Sequence, residues 1–302
     1  MNRRAHRTRT QHAARRALVC AALALLASAC AASRGVAPEK PSAGPPYPVT
    51  LTASADRERA TRDAWARLLT DQGVANPPAP DLQPITATLA AIPSTLAAPL
   101  RLPRVGEEGK QMGEEETREA LRRFLASATP LLGVQPAELS LETYEDAGGG
   151  AKRAVYRQTP FEFPLRGDYG RVEVTFAPDL RVLKLSSTAI PDVERLRRAF
   201  AALKQDRLAA DKVAATLGGR AVTYVDASGN VQTRTVAQGE AQPREVVVYP
   251  VLSAADPSTL ELHLAWEVLA PGPNPLLVYL DAFSGEQLAA RPADDKAVTS
   301  DK

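Results

Sequence analysis

Side chains suited to acid–base or metal chemistry are scarce in this chain of 302 residues. It has three His and two Cys. His6, His12, Cys20 and Cys30 all fall within the first 30 residues, which leaves His263 as the one imidazole of the body. Glu261 precedes it by two positions, so on a strand the two side chains share a face. A His beside a carboxylate could ligate a metal or act as a base. The reading taken is the plainer one, a polar residue on the outer face of a half-solvated sheet.

The inventory excludes much else. A body without Cys holds no disulfide, Cys-based zinc site or iron–sulfur cluster. A nucleophilic relay of the Ser-His-Asp kind could use only His263. H-E-x-x-H, G-x-G-x-x-G and G-x-x-x-x-G-K-[ST] are all absent. The expectation is a protein that is not an enzyme, with no cofactor and no metal. Asp281 and Glu286 flank a turn and serve its geometry and solvation. Asp294-Asp295 could reach a partner's zinc, but they read as a solvated tail. Trp65 and Trp266 are read as core residues.

Residues 1–16 carry six Arg and no acid. Beyond them 31 basic residues face 35 acidic ones, and no basic stripe is present, which argues against nucleic-acid binding. Residues 17–26 are continuously apolar, and Ala27, Ser28, Ala29 and Cys30 follow. This is the basic, apolar and small-residue order of an export signal, too short to span a bilayer. Arg15-Arg16 belongs to its basic region.

The elements behind those residues follow from periodicity. Apolar content of 44% supports a packed core, and the length allows two small domains. Five prolines between residues 38 and 48 mark an extended tether over 30–53. Ser54 caps a helix through Leu69, and Gly73 and Pro77-Pro78 stop it. Residues 74–106 are Pro-rich and read as irregular, partly extended. Glu114 to Ala128 is a second helix, with Leu121, Phe124 and Leu125 on one face. From Leu139 the period becomes two. Strands are expected at 139–141, 154–158, 172–176 and 182–185, with Gly148-Gly149-Gly150 a flexible loop and Pro178-Asp179 a turn. The pattern then repeats. Asp192 to Leu217 is helical with a break near Asp206. Strands follow at 221–225, 231–236, 245–251, 260–268 and 276–280. In the fourth, Leu260, Leu262, Leu264, Trp266 and Val268 form one face. Tyr224-Val-Asp-Ala-Ser-Gly229 and Tyr279-Leu-Asp-Ala-Phe-Ser-Gly285 both read as Asp/Gly hairpin turns. The fold class is α+β, as two helix-plus-antiparallel-sheet modules in tandem.

Three resemblances attach to these residues. Leu-Ala-Ser-Ala-Cys30 resembles the lipobox of bacterial lipoproteins, although Ala27 stands where Leu is usual. It implies a signal peptide over 1–29, with Cys30 acylated as the first mature residue and lipid-anchored to the cell envelope (the outer membrane, if Gram-negative). Two or more acyl chains anchor stably. The alternative is ordinary cleavage after Ala29 and secretion. Residues 154–191 resemble the fungalysin/thermolysin propeptide motif, in the Tyr156-x-Gln158 strand, the apolar loop with Phe-Pro-Leu-Arg-Gly167, and the strand ending at Ile190-Pro191. Leu180 stands where that family's turn has Gly. Residues 244–288 resemble the PepSY module, in Arg-Glu-Val-Val-Val-Tyr-Pro250, Leu-Ala-Trp-Glu-Val268 and Asp281-Ala-Phe-Ser-Gly-Glu286.

These resemblances imply cystatin-like modules, propeptide-like over 111–191 and PepSY-like over 192–290. Residues 54–110 precede them without an assigned role, and 291–302 form a tail. The reading expects no zinc catalytic domain of that family in this chain. The implied function is an anchored inhibitor or folding assistant of a separately encoded thermolysin-type metalloprotease. The alternative is a structural or ligand-binding envelope module with no protease partner. Partner contact is expected through an edge strand.

Overall fold

A computed structural model describes residues 46–107, 109–110, 112–203, 205–226 and 228–293. The signal peptide, Cys30, most of the tether and Asp294-Asp295 lie outside them. Residues from Pro45 onward belong to one compact unit. The architecture is α+β, and no helix among the described residues is long and apolar enough to cross a membrane.

The first strand, β1 (Val49–Thr52), is followed by helix α1 (Ala55–Asp71). Ser54 caps α1 as expected, its Oγ accepting from Arg57 N–H at 3.3 Å. Residues 74–106 are largely irregular, with one short hairpin, β2 (Asp81–Leu82) and β3 (Leu89–Ala91). Helix α2 (Glu114–Ser127) follows, its N-terminus closed by Gly113 N–H donating to Glu116 Oε2 at 2.8 Å. The short α3 (Thr129–Leu132) ends on Gly133, which takes the left-handed conformation.

The first sheet is an antiparallel meander of β4 (Leu139–Gly148), β5 (Ala151–Gln158), β6 (Arg171–Phe176) and β7 (Val182–Ser187). Gly148-Gly149-Gly150, expected as a flexible loop, is the tight turn of the β4–β5 hairpin, and all three take positive φ. Leu180 also lies at φ 69°. The turn therefore requires at Leu180 a left-handed backbone that Gly adopts more readily.

One face of this sheet presents Ala154, Val172, Val174, Phe176 and Leu185 to Leu121, Phe124 and Leu125 of α2. Residues 54–110 complete that core with Trp65, Leu69, Leu89, Leu100 and Leu102. Trp65 is 1% exposed and its indole donates to Pro78 O at 2.7 Å. The segment also covers an edge. Leu102 N–H donates to Leu180 O, and Val182 N–H to Leu100 O, alongside β7.

Helices α4 (Val193–Ala201) and α5 (Ala210–Leu217) come next, separated by the break expected near Asp206. The hairpin β8 (Ala221–Val225) and β9 (Val231–Thr235) follows, then β10 (Gln242–Leu252), β11 (Thr259–Ala270), β12 (Leu276–Asp281) and β13 (Gln287–Pro292). In the second sheet β10 pairs with β11 along nearly its whole length. The opposite edge of β11 is shared: β1 takes residues 259–262 and β12 takes 265–270. The β12 strand pairs in turn with β13.

Two boundaries of the sequence reading change. The expected tether over 30–53 ends earlier, because Val49-Thr-Leu-Thr52 alternates buried and exposed and pairs with β11. Arg291 and Pro292, expected in the tail, instead complete β13.

The second sheet is covered on both faces. Leu260, Leu262 and Leu264 pack with Leu196 of α4. Val268, Val278 and Leu280 pack with Val213 and Leu217 of α5. Trp266 straddles these two clusters, its Nε1 donating to Leu208 O at 3.0 Å. The opposite face buries Val247, Ala265, Leu269, Leu277 and Tyr279. The half-solvated sheet expected around His263 is therefore corrected. Long side chains and the loop before β6 cover the face that the alternation assigned to water.

Candidate functional site

The edge of β11 has a gap between its two partners, at His263 and Leu264. Buried backbone groups in such a gap need partners. Leu264 O accepts from Ala282 N–H at 2.8 Å. Leu264 N–H donates to the Tyr47 hydroxyl oxygen at 3.1 Å. Tyr47 in turn donates to Asp281 Oδ2 at 2.6 Å, and His263 Nδ1 reaches the same oxygen at 2.8 Å. His263 Nε2 lies 3.3 Å from Glu261 Oε2. The other Asp281 oxygen, Oδ1, accepts from Phe283 N–H and Ser284 N–H at 2.9 Å each, holding the turn after β12. The Tyr47 ring meets Phe283 edge-on at 4.6 Å between centroids.

The Asp281 side chain is 5% exposed and His263 13%. Burial opposes the charge of each, and their contacts reverse the balance. For Asp281, burial raises the carboxyl pKa, but hydrogen bonds from His263, Tyr47 and two backbone amides hold it well below the usual range. For His263, burial favours the neutral ring, but Asp281 and Glu261 hold its pKa above the ordinary 6.5. Burial, then the bond to Asp281, pushes the Tyr47 phenol far above its usual value.

A carboxylate oxygen within reach of each nitrogen favours the protonated form of the His263 ring. Among the described residues no group of three or more His, Cys, Asp or Glu is placed to hold a metal ion. The cluster does one thing well. It fastens the segment entering the fold at residues 46–52 to the second sheet.

A second constellation joins the two sheets. Residues 161–167 run along the outer edge of β10, where Arg166 N–H donates to Val248 O at 3.0 Å and Val248 N–H to Pro164 O at 2.8 Å. Leu165 is 2% exposed among the apolar residues of the second sheet. The Arg166 guanidinium bonds Glu245 and, at 3.3 Å, Glu267 Oε2. Tyr279 OH donates to that same Glu267 oxygen at 3.0 Å. Burial, then the nearby Glu267 charge, pushes the Tyr279 phenol up to about 12.

The motif residues thus have identifiable work. Gln158 is fully buried, and its amide bonds both the N–H (2.8 Å) and the O (3.0 Å) of Ile190. A side chain substitutes there for a missing strand partner. Asp281 sets the turn of Asp281-Ala-Phe-Ser-Gly-Glu286, while Glu286 stays exposed. The second hairpin is built alike: Asp226 Oδ1 accepts from Ser228 and Asn230 N–H at 2.9 Å each.

Of the residues singled out in sequence, the structure brings Glu261, His263 and Asp281 together. Sequence reasoning missed Tyr47, Leu165 and Arg166 as members of these joints. An aromatic between two prolines was the one local signal for Tyr47.

No protein-family model matches the chain, and no curated protein does. Among solved structures it is similar to the YpeB C-terminal domain of Bacillus megaterium, at 7% identity and a TM-score of 0.30, over 81% of this chain and 100% of that one. It is also similar to an uncharacterised protein from Eubacterium rectale, at 13% identity and a TM-score of 0.23, over 61% of this chain and 58% of that one.

Proposed function

We propose that this chain is a non-enzymatic envelope lipoprotein, held to the membrane through acylated Cys30, that acts on a separately encoded thermolysin-type metalloprotease as inhibitor or folding assistant. One observation carries the reading. The residues that resemble the propeptide and PepSY motifs are those that close the two sheets and join them: Gln158 on Ile190, the 161–167 loop on β10, and Asp281 in its turn. Motif residues that work as a framework agree with a protein that presents surfaces and performs no chemistry of its own.

The test is a titration of residues 45–302 into a thermolysin-type protease from the same source. That span keeps Tyr47 and β1. Peptide hydrolysis, integrity of the added protein and refolding yield of denatured protease are followed together. Stoichiometric loss of hydrolysis with the added protein intact indicates inhibition. A higher refolding yield indicates folding assistance. If neither changes, the protease reading fails and a structural or ligand-binding envelope module takes its place.

A further inference from the structure

Exposed strand edges invite pairing with other chains, and native proteins blunt them. Four strand edges of this molecule are treated in that way. The β4 edge has two irregularities in its pairing, at 141/143 and 146/148, and carries Glu142, Glu145 and Asp146. The β7 edge is covered at 180–182 by residues 100–102. The β10 strand contains Pro243 and Pro250 and holds the 161–167 loop at Val248. Beyond β13 lies β8, with Gln287 Nε2 donating to Thr223 O at 3.2 Å.

The β9 edge has none of these devices. Its pairing with β8 is unbroken from Ala221↔Thr235 to Val225↔Val231, and it contains no Pro. Its one charge, Arg234, is turned inward onto Glu240 and the carbonyls of Ala270 and Asn274. Among the described residues no backbone bond engages its outer side. Which groups face out follows from the alternation of an antiparallel ladder. Asp226 N–H donates to Asn230 O at one end, and Val236 N–H to Arg220 O at the other. The residues turned toward β8 between those bonds are Gln232 and Arg234. Val231, Thr233 and Thr235 therefore point their N–H and C=O groups outward. Val231 is 72% exposed and its cross-strand partner Val225 52%.

We propose that β9 is a self-association edge, at which two copies of this chain add β9 to β9 antiparallel across a twofold axis through Thr233. In that register Thr233 faces Thr233 of the second copy, and Val231 faces its Thr235. All outward groups are then used, in about six hydrogen bonds. The sequence is self-complementary in charge as well. Arg234 of each copy is already neutralised by its own Glu240, so the axis brings no like charges together. The same edge offers an unrelated partner no free charge to recognise. The two hairpins become one four-stranded ribbon, with the exposed Val225 and Val231 of each copy on one face. Pairing over five residues makes a small interface, so the dimer belongs to the weak class.

Residues 45–302 close on themselves as a compact unit, and they contain no Cys. Sedimentation equilibrium of this span from about 1 µM to about 1 mM covers the range of weak dimers. The expected result is a mass rising toward twice that of one chain. Thr233→Pro removes an outward N–H and costs no bond to β8, and Thr233→Lys places a charge on the axis. Each should raise the dissociation constant at least about tenfold, with the thermal midpoint unchanged. On oxidation, Thr233→Cys should cross-link to its twin, because directly opposed residues lie within disulfide reach. Thr223→Cys, one strand further in on each copy, should not. A single-chain mass across the whole range overturns the proposal. So does a dimer that survives Thr233→Pro, or equal cross-linking at the two Cys positions.

Discussion

The first sheet and the second solve the same problem differently. The first turns one face to its core and leaves the other to water. On that outer face an alternating series of charges crosses the strands: Glu145 to Arg153 at 2.8 Å, Arg153 to Glu173 at 2.9 Å, and Glu173 to Lys184 at 3.0 Å. Arg153 is 39% exposed and Lys184 56%, so solvent screens these pairs. The second sheet buries both faces and keeps polar groups inside. Glu267, Tyr279, Asp281 and His263 sit where an unmet hydrogen bond has no water to fall back on. Similar polar chemistry is therefore cheap to lose on one sheet and costly on the other.

The sharpest way to break that contrast is Asp281→Ala. It strips the acceptor from Tyr47, His263 and two backbone N–H groups and leaves them buried without it. A loss of about 3–5 kcal/mol is expected in urea unfolding, together with faster amide exchange over 47–52. A loss below about 1 kcal/mol would show that the joint contributes little. Next is Tyr279→Phe, which keeps the ring stacked on Tyr249 but removes the hydroxyl from Glu267. The expected cost is about 1–3 kcal/mol. Glu173→Gln, in the exposed ladder, should cost less than about 1 kcal/mol and lose its effect at high salt. Were it to cost as much as Tyr279→Phe, the distinction between the sheets would collapse.

The pH dependence separates the two members of the joint. Asp281 is depressed in the folded state, so its contribution is present above the ordinary Asp value of 3.8 and lost as pH falls through the folded value. His263 is raised, so its contribution is full below 6.5 and lost as pH rises through the folded value. Both contributions are complete between about pH 4 and 6.5. Unfolding free energy measured across pH should be greatest there, and His263→Gln should flatten the alkaline limb. The smallest expected effect is that of Leu180→Gly. The left-handed backbone of Leu180 costs roughly 1–2 kcal/mol, but its side chain packs against the first core. The two terms oppose, and calorimetry should find a net change within about 1 kcal/mol.

What was legible in the sequence was local. Ser54 announced its helix, the break near Asp206 separated α4 from α5, and alternation found β4 to β12 but neither β1 nor β13. The Asp281 turn was also visible, because its partners lie within three residues. Long-range placement was not. Four residues of alternation after a run of prolines do not reveal that Val49 pairs with Leu262. Nor does Phe-Pro-Leu-Arg-Gly reveal which strand edge it will cover. His263 was assigned to the correct face, but its surroundings come from Tyr47, Asp281 and neighbouring loops that no periodicity brings together.

The pairing of β1 also imposes an order in time. Its partner lies about 210 residues later in the chain, a separation that makes closure slow compared with local hairpins. Ribosomal synthesis delivers the amino end first. Residues 47–52 thus emerge early yet find their seat only after the stretch through Asp281 exists. Until then the gap at Leu264 stays open and the His263 ring lacks Asp281. The earliest-made part of the body must wait for strands made near its end.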